Sequence, residues 1–130
     1  MADLDLDGSE LLKLAEEIGA DAHKVAEGAY PLVKQYAESL RNDWRDNARS
    51  TARRHGKHYP RAITAEQEFS RTDVIWEVGP ESQRKQGDMG RGFEFGGAHQ
   101  PPHWDMSIAV TGVEPKFNKA VDDLARSFLS

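Results

Sequence analysis

Apolar residues recur three and four positions apart from about residue 21 to residue 48: Ala22, Val25, Ala26, Ala29, Val33, Tyr36, Ala37, Leu40, Trp44 and Ala48. That spacing stays in phase with a 3.6-residue turn and predicts one long amphipathic helix. Pro31 lies inside it and has no amide to offer the carbonyl of Glu27, so a kink is expected there. Upstream, Leu4 and Leu6 alternate with Asp3, Asp5 and Asp7, the pattern of a short edge strand. Gly8 breaks it, and Ser9 caps a first helix with Leu11, Leu12, Leu14, Ala15 and Ile18 on its apolar side. Gly19 ends that helix. Downstream, residues 62–69 and 74–78 read as two strands joined by a turn at Ser70-Arg71-Thr72-Asp73. Val74, Ile75 and Trp76 are apolar in succession, which predicts a strand covered on both faces. A helical turn or two is expected over residues 104–110, cut off by Gly112. Pro115 then opens a last helix with Val113, Phe117, Ala120, Val121, Leu124 and Phe128 as its buried stripe. The order helix, helix, hairpin, loop, helix predicts an α+β fold, with N-terminal helices and a C-terminal helix packed on a small antiparallel β-sheet.

Residues 78–105 interrupt this regularity as a long glycine- and proline-rich loop around one apolar-acidic-apolar triplet, Phe93-Glu94-Phe95. Loops of that length are uncommon in compact domains unless they are functional. The triplet reads as a short strand or a strand-to-helix transition. Phe93, Phe95 and Trp104 are candidate anchors for a partner. Glu94 between two phenylalanines has two readings: an exposed strand residue, or an ion pair that sets register at a subunit interface. Its cation would be Arg91 or an arginine from the segment described next.

Charge is distributed unevenly. The net charge is −5, and residues 41–61 hold seven Arg or Lys against two Asp while both flanks are acidic. Arg41, Arg45 and Arg49 fall at four-residue spacing and form a basic row where cations suit the negative end of a helix. Arg53 and Arg54 follow in a basic loop. An acidic-basic-acidic order can draw identical subunits together head to tail, or it can be a solvated helix face. With Trp44 and Tyr59 nearby, the segment is also the best candidate for a nucleic-acid surface. It carries no helix-turn-helix, RRM or KH pattern, and the chain has no global basic footprint.

Length and composition narrow the classes further. The 130 residues fit one domain, spanning 1–130, and 38% hydrophobic against 30% charged residues leaves a moderate core that leans on neighbours. The absence of cysteine excludes disulfides and thiolate metal sites. Neither a signal peptide nor a membrane-length apolar run is present, so a soluble protein made in a cytoplasm is expected. His55 with His58 and His99 with His103 form two close pairs, a spacing found in metal sites. Both pairs lie in expected loops without an HExxH helix, which favours exposed or interface histidines. No GxSxG surrounds a serine, and no phosphate-binding glycine loop is present. No enzyme activity and no cofactor are expected.

The ordered set Val78-Gly79-Pro80, Phe93-Glu94-Phe95-Gly96, Pro101-Pro102-His103 and a C-terminal helix resembles the siphophage neck and tail-completion family, named for the tenth gene product of a lambdoid coliphage. The segment His58-Tyr59-Pro60-Arg61-Ala62-Ile63 is similar to versions from phages of actinobacteria. The resemblance spans nearly the whole chain. It departs at residues 49–56, where many members carry an Ala-Pro-Val-Asp-Thr-Gly-type stretch. It implies a structural protein of the virion, assembled in the bacterial cytoplasm. Such a protein forms a ring, with six subunits expected, in the head-to-tail connector. Its neighbours would be a head-completion or stopper ring and a tail terminator or tail tube, with phage DNA passing through the lumen and no membrane partner. The tail terminator ring itself is the alternative within this class, and a small DNA-binding protein is the alternative outside it.

Overall fold

The computed structural model describes residues 4–7, 22–52, 56–68, 74–97 and 101–128. Strand β1 (Leu4–Asp7) is followed by helix α1 (Ala22–Ala52), the short helix α2 (Tyr59–Ala62) and strands β2 (Ile63–Glu68) and β3 (Ile75–Pro80). A 3₁₀ turn (Gly87–Met89) leads into helix α3 (Gly90–Phe95), and helix α4 (Asp105–Ser127) closes the chain. The three strands form one antiparallel sheet in the order β1-β3-β2. This is an α+β architecture, as the hydrophobic pattern predicts. The predicted helix with Leu11 to Ile18 on its apolar side, and the hairpin turn at 70–73, fall outside the described residues.

Helix α1 organises the molecule. Val25, Ala29, Val33, Ala37, Leu40, Trp44, Ala48 and Ala52 are all buried along one line of it. This line packs against both α4 and the sheet. Burying side chains such as Leu40, Val33 and Trp44 contributes roughly 1.5–3 kcal/mol each. α1 continues through Pro31 to Ala52, four residues beyond the end expected from the pattern. Gly28 lets α4 come close, because a Cβ there would meet the side chain of Leu124 at 3.3 Å.

In the sheet, burial alternates rather than covering both faces. Val74, Trp76 and Val78 are buried while Ile75 and Glu77 are half-exposed. Register places Ala65 opposite Val78 and Gln67 opposite Trp76 on the face towards α1, and Glu66 opposite Glu77 on the outer face.

The segment expected as a long loop contains a 3₁₀ turn and a short helix. Phe93-Glu94-Phe95 is the end of α3, not a strand. Two helical pieces expected on either side of Gly112 are one continuous helix from Asp105 to Ser127. Gly112 and Pro115 both lie on its exposed side, where water can serve the Thr111 carbonyl that proline leaves without a donor. Tertiary contact of Ala109, Val113 and Phe117 with the core overrides the two local breakers.

Candidate interaction site

The junction between α3 and α4 gathers four of the residues singled out in the sequence: Phe93, Glu94, Phe95 and Trp104. Phe93 is 1% exposed. Its ring lies 4.7 Å from Tyr59 and stacks on His103 at 5.4 Å between centroids. It is therefore a core residue, and the expectation of a partner anchor at Phe93 is corrected. In a helix, residues two apart point to nearly opposite sides, so burying Phe93 turns Phe95 outward.

Glu94 is also buried, yet it meets no arginine among the described residues. One carboxylate oxygen accepts the Met106 amide at 2.7 Å. The other accepts the Ser107 amide at 3.2 Å and the Ser107 hydroxyl at 2.6 Å. The carboxylate thus caps the N-terminus of α4, serving amides that lack a partner within the helix and meeting the positive end of its dipole. The predicted ion pair with Arg91 or the basic row is replaced by this cap, and Arg91 is exposed. The backbone reinforces the join: the His103 amide donates to the Phe93 carbonyl at 2.7 Å and the Trp104 amide to that of Glu94 at 3.3 Å.

Asp105, the first residue of α4, fixes the same point to α1. Its Oδ1 accepts the Thr51 hydroxyl at 2.8 Å, and its carbonyl accepts from Asn47 Nδ2 at 3.1 Å. Its Oδ2 lies 3.9 Å from Nδ1 of His103, and neither atom has a hydrogen-bond partner. Burial pushes the Asp105 carboxyl above its ordinary range, and the charge of Glu94 adds to this. The Thr51 hydroxyl and His103 act in the opposite direction.

On top of this polar base sits an apolar cluster open to solvent. Phe95 is 50% exposed, Trp104 45% and Ile108 57%. The two aromatic rings meet edge to face at 6.0 Å. Ile108 stands one turn beyond Trp104, whose carbonyl accepts the Ile108 amide at 2.9 Å. Trp104 itself adopts a left-handed backbone with φ 60°. For a bulky residue that conformation costs on the order of 1 kcal/mol.

The basic row does not act as a unit. Arg45 turns inward and donates through Nε to the Ile63 carbonyl at 2.7 Å. Burial lowers its pKa from the usual arginine value, and the charges of Arg41, Arg49 and Arg84 lower it further. Arg49 pairs with Asp46 at 2.7 Å, and Arg41 donates to Asn42 at 3.2 Å. Arg53 and Arg54 lie outside the described residues. Trp44 and Tyr59, the aromatic residues of the nucleic-acid reading, are both buried and offer no stacking surface.

Of each histidine pair one member is described; His55 and His99 lie outside. Among the described residues no three His, Asp or Glu side chains converge as a metal site would require, and no helix is long and apolar enough to cross a membrane. Sequence reasoning missed Asp105, Thr51, Asn47 and Ser107. Their partners lie 13 to 58 residues away along the chain, beyond any local pattern. Searches against family models, curated proteins and solved structures give no match to this chain.

Proposed function

We propose that this chain is a structural assembly subunit that works through the Phe95–Trp104–Ile108 cluster. The setting we infer is a ring in the head-to-tail connector of a long-tailed phage, as the sequence resemblance implies. The observation that carries the reading is how that cluster is held. Two buried carboxylates, a helix cap and a left-handed tryptophan fix three apolar side chains in water. Exposed aromatic groups on a rigid base are typical interface anchors, and the free energy of covering them returns on binding. β1 supports the same reading. It forms one edge of the sheet, where a neighbouring chain can add a strand. A chain of moderate core that gains further burial from its neighbours fits a closed ring built from one repeated contact.

The test is the mass and symmetry of the purified protein, by sedimentation velocity and negative-stain microscopy. A closed oligomer is expected, weakened by Trp104→Ser. In infected cells, loss of the protein should leave filled heads and finished tails unjoined. A strict monomer that is absent from particles overturns the proposal.

A further inference from the structure

Charge is segregated along the sheet in a way that the apolar cluster does not explain. Ile63 pairs with Pro80 at one end of the β2–β3 ladder, and Glu68 pairs with Ile75 at the other. Six residues of strand separate the two ends by about 17 Å. Beyond the first end lies an open cleft of about 360 Å³ lined by His58, Arg61, Ala62, Arg84 and Lys85. Of its lining residues, Arg84 pairs with Glu81 at 2.8 Å. Arg61 and Lys85 are exposed, and no ion pair is formed by either among the described residues. Burial and then the charges of Lys85, Lys57 and Arg61 depress the His58 pKa.

Among the described residues, the opposite end is acidic. Glu66 and Glu77 are direct partners across the ladder, and Glu68 lies on the same outer face, two residues from Glu66. Asp5 of β1 occupies the register position across from Glu77 on its other side. Like charges opposite one another destabilise a sheet. The Glu68 pKa is raised, first by a hydrogen bond shared with Glu77, then by burial and by the Glu77 charge. A protein that gathers cations at one end of a sheet and carboxylates at the other is complementary to itself, basic end to acidic end. Repeated head to tail, such a contact is heterologous and generates a ring where the rotation between copies closes.

We propose that the basic cleft at Arg61, Arg84 and Lys85 docks the carboxylate face of a second copy, at Glu66, Glu68 and Glu77, in a head-to-tail contact. This rests on the ring-forming reading above and supplies its subunit contact. A nucleic-acid backbone would also suit the cleft. The acidic face favours a copy of the chain, because it gives the cleft a matching partner and repels phosphate at the far end.

The experiment is a charge swap read by sedimentation velocity at low and high salt. Arg61→Glu with Lys85→Glu alters the cleft, and Glu66→Lys with Glu68→Lys alters the face. All four residues are exposed, so each variant should retain the wild-type circular dichroism spectrum. Each pair alone is expected to weaken self-association about tenfold or more, given the cost of like charges across an interface. The variant carrying all four substitutions, and an equal mixture of the two pairs, are expected to associate again. Added salt should weaken the wild type. Failure of the four-fold variant or the mixture to recover would overturn the proposal. So would a cleft reversal that abolishes retardation of a DNA duplex while the face reversal leaves self-association intact. A wild-type oligomer indifferent to both reversals overturns this contact alone, whereas a strict wild-type monomer removes the contact and the ring reading together.

Discussion

Removing the Glu94 carboxylate should be among the most damaging single changes available outside the apolar core. Three donors converge on it: two α4 amides and the Ser107 hydroxyl. A hydrogen bond to a charged acceptor contributes about 1.5–3 kcal/mol, and loss of a helix cap costs about 1 kcal/mol. These contributions overlap, so Glu94→Ala is expected to cost about 3 kcal/mol, part of it from leaving buried amides without a partner. Glu94→Gln keeps the shape but turns one accepting oxygen into a donor, so about 1–2 kcal/mol is expected. Arg91→Ala should stay within about 0.5 kcal/mol, because the carboxylate pairs with helix amides and not with this cation. Urea unfolding followed by circular dichroism checks all three. With a slope near 1.5 kcal/mol/M, Glu94→Ala moves the midpoint down by about 2 M. A shift below about 0.3 M, or an equal loss in Arg91→Ala, would refute the capping argument.

Further outcomes follow from other parts of the fold. Phe93→Ala should cost about 3–5 kcal/mol by urea unfolding, while Phe95→Ala stays within about 0.5 kcal/mol in the monomer; similar losses at both would contradict their opposite placement. Gly112→Ala, on an open helix face, should stabilise by about 0.5–1 kcal/mol. Gly87→Ala should be strongly destabilising, since its Cβ would fall on the Glu81 carbonyl oxygen, and a neutral thermal-denaturation result would contradict that packing. Asp105 has a folded pKa raised above 3.8 by burial, so its ionised form lowers stability, and the cost fades as pH falls through that region. In a His103→Gln background, which silences the facing imidazole, Asp105→Asn should therefore flatten the stability–pH profile. The gap between the two proteins should be widest at neutral pH and close towards about pH 4. A gap that is constant across this range would contradict the assignment.

The parts of this fold that were legible in the sequence are those fixed by long repeats. The α1 stripe runs from Val25 to Ala52, more than seven turns, and its buried positions match the apolar spacing almost residue for residue. The strand pair was legible for a similar reason, though β3 proved to be half covered and not enclosed. The triplet Phe93-Glu94-Phe95 was misread because three residues fit a strand period as well as a helical one. In a strand, the two phenylalanines would share a face; in α3 they divide between core and solvent. The role of Glu94 was hidden for another reason. Its partners belong to a helix that begins only after Pro101 and Pro102, and no rule of local spacing reaches them. Arg45 shows the same limit: its row is visible in the sequence, but the Ile63 carbonyl that turns it inward is supplied by tertiary packing.

The chain carries three tryptophans in unequal surroundings: Trp44 is fully buried, Trp76 nearly so, and Trp104 stands 45% exposed. Two indoles therefore emit from an apolar interior and are shielded from a soluble quencher, while the third emits from the edge of the Phe95–Trp104–Ile108 cluster. Collisional quenching by iodide or acrylamide selects that one residue without a label. Fluorescence of the native protein is in effect a local gauge of whether the α3–α4 junction faces water or another surface.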